Sequence, residues 1–133
     1  MKPGMEAGQT AALSFQVTPE MFAQFEGNVV HEAYSTVSMV YHMEWVSRQI
    51  ILPYLEDHEE GIGGAVTVKH IAPSTADTHI TVKATLTELK GNVVITKTEA
   101  WNERGLIGKG EVTQVILPKK QIQEKLALSA SSD

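Results

Sequence analysis

Apolar and polar residues alternate most regularly in HITVKATLTEL, residues 79–89. Ile80, Val82, Ala84 and Leu86 fall on one face, with Thr81, Lys83, Thr85 and Thr87 on the other. That period of two predicts a half-buried strand. KGN makes a turn and VVITKTEAW returns; NERG turns again and LIGKGEVTQVIL runs back. These turns are too short for crossover connections, so the three strands form an antiparallel meander. Upstream, TAALSFQV (residues 10–17) alternates with Leu13, Phe15 and Val17 on one face, and AVTVKHIA begins another strand.

The period lengthens in STVSMVYHMEWVSRQIILPYL, residues 35–55. Met39, Met43, Val46 and Ile50 recur there at three- and four-residue spacing, which predicts an amphipathic helix. Ser35 or Thr36 can cap it, and Pro53 marks its end. TPEMFAQF reads as a short helix, with Thr18 as cap, Pro19 in the first helical position and Glu20 in the first turn. EGNVVHEAY reads as a loop punctuated by Gly27 and Asn28, and EDHEEGIGG as an acidic, glycine-rich loop. Pro118 opens a C-terminal helix through about Leu128, leaving residues 129–133 as a frayed tail.

One long helix against a largely antiparallel sheet can bury a face of each. The expected fold is α+β, a sheet wrapped around one central helix in the hotdog manner. By fold analogy such a sheet continues across a homodimer.

Composition narrows the chemistry. The chain has 133 residues, enough for a single domain spanning 1–133 that needs no staple. It has no cysteine, which excludes thiol catalysis, thiolate-bound zinc and a disulfide framework. Eleven Lys and Arg against sixteen Asp and Glu give a net charge of −5, with no basic block to meet a nucleic acid. The N-terminus lacks a continuous apolar stretch of signal-peptide type, and no run approaches the ~20 residues of a membrane helix. A soluble, cytoplasmic protein is expected.

Glu44 stands between Met43 and Trp45 inside the helix pattern. Taken alone it is a solvated or salt-bridged helix residue, His70 a hydrogen-bonded strand histidine, and Thr36 an N-cap. Met39 and Met43 read as core, though either could line an acyl pocket, and Trp45 reads as packing in preference to a shield of the site from water. His42 and Glu44 are two apart and do not share a helix face, so no metal site is expected. Thr36 and Glu44 on one continuous helix would lie roughly 12 Å apart along the axis and point about 80° apart. Contact between them then requires Thr36 to fold inward from before the first turn, or to face a site from another direction, such as across a dimer interface.

Taken together, Thr36, Glu44 and His70, with MEW, PYLE, GIGGAVTVKH and GKGEV, resemble the hotdog thioesterases related to fluoroacetyl-CoA thioesterase. The most specific part is T-x7-E paired with G-x6-H. The resemblance implies hydrolysis of a small acyl-CoA thioester by a Thr36, Glu44 and His70 set, with Gly63 at the thioester carbonyl. Coenzyme A enters as part of the substrate, and no other cofactor is expected. Phenylalanines that close a lid in the fluoroacetyl enzyme correspond to Gly27 and Val30 here, and an arginine of its last strand corresponds to Gln114. Those departures argue against the fluorinated substrate.

Such a hydrolysis needs an attacking oxygen, a proton acceptor and donors for the oxyanion. Glu44 could deprotonate water or attack the carbonyl itself, and His70 could orient or carry a proton. Thr36 offers a hydroxyl. Backbone N–H groups at Gly63 and Gly64 can approach closely, because no Cβ intervenes. Lys69, Lys97, Arg104 and Lys109 are candidates for the CoA phosphates, chosen by charge and position. The alternative from another class is a non-catalytic hotdog module that binds an acyl-CoA or other small apolar ligand. A hydratase on the same fold is the weaker third reading, since no Asp–His pair stands at the helix spacing of that family.

Overall fold

The computed structural model describes residues 1–131 of the chain. Strand β5 (His79–Lys90) shows the period of two directly: Ile80, Val82, Ala84 and Leu86 are all buried. It pairs antiparallel with β6 (Val93–Asn102), which pairs in turn with β7 (Gly105–Pro118), giving the expected meander. Strand β1 (Thr10–Gln16) adds to the free side of β5, and β4 (Glu59–His70) to the free side of β7. The sheet order is therefore β1-β5-β6-β7-β4, with β1 and β4 at its edges.

Helix α1 (Thr36–Ile51) crosses the inner face of this sheet. Ser35 is its N-cap, accepting the Ser38 N–H at 3.0 Å, so Thr36 is the first helical residue. The chain then passes through a 3-10 turn, Leu52–Tyr54, so Pro53 ends the α-helix by tightening its last turn. Met39, Met43, Val46 and Ile51 are fully buried against the sheet. The opposite side of α1 is also apolar: Val37, Tyr41 and Trp45, spaced four apart, are 75, 59 and 46% exposed. Trp45 is therefore no core residue, contrary to its expected packing role.

Two expectations fail for physical reasons. TPEMFAQF makes only one 3-10 turn, Pro19–Met21, with no side-chain cap from Thr18, and then extends as β2 (Phe22–Phe25). The segment read as a loop is β3 (Asn28–Tyr34), and the two form a separate hairpin. Its two-residue turn puts Glu26 at φ +51° and Gly27 at φ +80°. Two successive positive φ values match the twist of a tight hairpin. Glu in the first of those positions hid the signal, since Asn, Asp or Gly is the usual residue there.

The glycine-rich "loop" is likewise strand. β4 begins at Glu59 and holds register with β7 from Glu59↔Pro118 to His70↔Gly108. Backbone pairing needs no side chains, and glycine leaves room for the helix. A Cβ at Gly61 would lie 2.5 Å from the Ile51 Cδ1. The register shifts between Gly63 and Ala65, leaving Gly64 as the extra residue of a β-bulge. Helix α2 (Lys119–Ala130) follows β7. It takes in Ser129 and Ala130 of the expected tail, while residues 132 and 133 lie outside the described residues. Among the described residues no helix is long and apolar enough to cross a membrane.

Candidate active site

Thr36 opens α1 and His70 closes β4, and the sheet brings these distant positions together. Thr36 Oγ1 and His70 Nδ1 are hydrogen-bonded at 2.9 Å. The His70 ring stands edge-on to Tyr34, and its Nε2 is buried without a hydrogen-bond partner among the described residues. Burial pushes the His70 pKa below its ordinary value, opposed in part by the Ala72 backbone beside the ring. The imidazole is therefore neutral near pH 7. When its Nδ1 accepts, the Thr36 hydroxyl donates.

Behind this pair lies a second polar contact. The Tyr34 hydroxyl meets His42 Nδ1 at 2.7 Å, and Phe15 stacks on the His42 ring. Burial raises the Tyr34 pKa, so the phenol keeps its proton. Burial also lowers the His42 pKa, with the Ser38 backbone opposing. Below the ordinary histidine pKa of 6.5, the unfolded chain takes up protons that folded His42 and His70 resist. Their contribution to stability is complete above that pH and falls as pH drops through it. Thermal midpoints should decline from pH 7.5 to pH 5.5, and His42→Gln should flatten the decline by removing one titrating group.

Glu44 sits two turns along α1 from Thr36. It is exposed and makes no hydrogen bond or ion pair among the described residues. Its Oε1 lies 3.3 Å from where a Gly63 Cβ would stand, so any side chain at 63 would crowd the carboxylate. Glu44 and Gly63 line a cleft of about 400 Å3 with Tyr41, Arg48, Gly61 and Gln114. Arg48 Nη1 bonds Glu60 Oε2 at 2.8 Å, and the same oxygen accepts the Gly61 N–H. The Arg48 guanidinium holds the Glu60 carboxyl below its usual range.

The sequence-derived residues thus fall into two groups within one protomer. Thr36 and His70 line a different cleft, of about 410 Å3, together with Tyr34 and Ala72. Glu44 and His70 do not share a cleft in a single chain, because Thr36 is helical and the expected axial separation from Glu44 applies. Gly64 lies against Thr113 and Val115 on the other side of the strand, outside the Glu44 cleft. Lys69, Lys97 and Lys109 line one shallow cleft over β4, β6 and β7, while Arg104 lines another with Ser74 and Asn102. Arg48 and Gly61 were missed. Their signals were present: Arg48 stands four residues after Glu44 on one helix face, and Gly61 stands two before Gly63 on one strand face.

Comparison with known proteins gives this geometry its context. A family model described as fluoroacetyl-CoA-specific thioesterase matches residues 17–120. The fluoroacetyl-CoA thioesterase of Streptantibioticus cattleyicolor is 28% identical over 137 residues, covering 95% of this chain and 95% of that protein. A Thermus thermophilus thioesterase superfamily member superposes with a TM-score of 0.91 at 41% identity, covering 96% of this chain and 95% of its own. A variant of the fluoroacetyl-CoA-specific thioesterase gives 0.86 at 26% identity, covering 96% and 99%. A hot-dog-like protein from Thermanaerovibrio acidaminovorans, only 16% identical, shares the fold with a TM-score of 0.88 over 99% of this chain and 96% of its own. The sheet folded on α1 is thus a hotdog, as expected, and the match over most of its length shows that the chain belongs to the fluoroacetyl-CoA-specific thioesterase family.

Proposed function

We propose that this protein hydrolyses a small acyl-CoA thioester to the free acid and CoA, at a metal-free site of Thr36, Glu44 and His70 assembled between two copies of the chain. The observation that carries the reading is the Thr36–His70 hydrogen bond, which joins two family-matched positions 34 residues apart in sequence.

Glu44 supplies the carboxylate that drives attack, by deprotonating a water or by attacking the carbonyl itself. In the water route, oxygen bonds to the thioester carbon and one water proton passes to Glu44. The carbonyl electron pair moves onto oxygen and is met by backbone N–H groups at the Gly63–Gly64 bulge. Collapse breaks the C–S bond, and the proton held by Glu44 reaches the CoA thiolate with His70 as carrier. Thr36 fixes the His70 ring through its hydroxyl. The carboxylic acid then ionises into solvent.

The dimer follows from what one protomer leaves uncovered. The apolar stripe of Val37, Tyr41 and Trp45 runs along α1 into the Glu44 cleft, which Tyr41 and Trp45 line, and β4 presents an unpaired edge. Covering both with a second copy would extend the sheet and place the Thr36–His70 pair of one protomer opposite the Glu44 cleft of its partner. Mixing inactive Glu44→Gln and His70→Ala subunits tests this arrangement. Every random heterodimer would regain one intact site, so about a quarter of wild-type activity should return. No recovery in a mixed dimer would place all three residues in one protomer.

The reading as a binding module retains one supporting observation, the separation of Glu44 from His70 within a chain. Saturable binding of an acyl-CoA with no CoA release from any short acyl-CoA would favour it. A soluble, cytoplasmic enzyme without a nucleic-acid or membrane partner completes the proposal.

A further inference from the structure

We infer that the Glu44 cleft selects short acyl groups carrying a hydroxyl on the third or fourth carbon, over alkyl chains of equal length. This inference rests on the thioesterase reading and names the substrate class of that site. Gln114 projects from β7 toward α1 and is 6% exposed. Its Nε2 donates to the Ser47 carbonyl oxygen at 3.2 Å. Reversing the amide would set two acceptor oxygens against each other, so this contact fixes its orientation. The Oε1 is therefore directed into the cleft, 3.9 Å from where a Gly61 Cβ would lie, and has no donor among the described residues. An alkyl chain that displaces water from this acceptor returns no donor to it, whereas a ligand hydroxyl restores the bond.

Arg48 Nη1 lies at the same distance, 3.9 Å, from that Gly61 position. The Gly61 Cβ position itself is taken by the Ile51 Cδ1, so the acceptor and the donor face the cleft beside Gly61. A hydroxyl can satisfy both, donating to Gln114 and accepting from Arg48. A second carboxylate fits less well. Glu60 already neutralises Arg48 at 2.8 Å, and Glu44 adds another negative charge to the same cleft.

Spacing sets the position of the hydroxyl. Gly61 and Gly63 are two residues apart on one strand face, about 6.7 Å. Glu44 and Arg48 are one turn apart on α1, about 6 Å along its axis. A thioester carbon held at Gly63 and Glu44 thus places the third or fourth carbon of its chain beside Gly61.

The test is CoA release by the wild-type protein from butyryl-, 3-hydroxybutyryl-, 4-hydroxybutyryl- and succinyl-CoA. One or both hydroxyacyl substrates should exceed butyryl-CoA in kcat/KM by about tenfold or more, with succinyl-CoA below it. Gln114→Met, similar in volume, should bring the hydroxyacyl-to-butyryl ratio near one. Arg48→Met, on a half-exposed side chain, should lower the same ratio if the Gln114 variant does not fold. Equal rates on butyryl- and hydroxybutyryl-CoA by the wild type would overturn the inference, as would a preference that survives in a folded Gln114→Met protein. If no acyl-CoA is hydrolysed, the thioesterase reading fails separately. Calorimetric affinities for 3- and 4-hydroxybutyryl-CoA against butyryl-CoA then decide the cleft's preference, tighter hydroxyacyl binding supporting it and equal or weaker binding overturning it.

Discussion

Glu44→Gln is expected to lower CoA release by about a thousandfold, within the range for loss of a general base. The fold should not notice. Glu44 is exposed and bonds to nothing among the described residues, so an isosteric amide leaves packing intact and stability within about 0.5 kcal/mol. An amide can neither take a proton from water nor attack a thioester at useful rates, yet it keeps the shape that fits beside Gly63. Matched thermal midpoints and single-turnover rates would make the measurement. A folded variant that retained more than about a tenth of wild-type turnover would remove Glu44 from the chemistry.

Gly110→Ala should be the most damaging small substitution in the sheet, at about 3 kcal/mol or more. Gly110 pairs with Val68 on one side and Thr98 on the other. A Cβ there would run into the Thr67 carbonyl oxygen and stand 3.1 Å from the Thr67 carbonyl carbon and 3.2 Å from the Val68 Cα. Those are backbone atoms of the neighbouring strand, so relief requires parting β4 from β7. In a domain of this size that loss corresponds to a fall of about 10 °C in thermal midpoint. Gly64→Ala is the control, because its nearest atom would be the Thr113 carbonyl oxygen at an ordinary 3.6 Å. Equal midpoints for the two variants would mean that the strands separate there more readily than this geometry allows.

Both variants bear on β4, where sequence reading was least informative. β5 and α1 were legible because one face of each is buried and the other is wet, so period and environment agree. The first half of β4 was silent because glycine carries no polarity to alternate. The β2–β3 hairpin was hidden for a different reason. Phe25, Val29 and Val30 are exposed in the folded chain, so no buried face imposes a pattern on it. The resemblance to a known family singled out Thr36, Glu44 and His70, but their arrangement was not in the spacing. Thr36 meets His70 only because the sheet returns β4 past the start of α1, and Glu44 faces away from both. Gln114 stood out as a departure from a relative, whereas its fixed amide depends on the Ser47 carbonyl, a backbone atom no sequence pattern reports.

The bulge at Gly64 has a consequence for chain length. Gly61 and Gly63 face the helix at odd positions, whereas Val66, Val68 and His70 do so at even ones. The bulge changes the parity between them. With the bulge kept, adding or removing one residue between Ala65 and His70 would swing the imidazole to the outer surface and away from Thr36, whereas removing Gly64 itself would erase the bulge and leave Gly63 and His70 on one face. The segment behaves like a reading frame: it tolerates changes of letter at exposed positions such as Thr67 and Lys69, and a change of count only at the bulge.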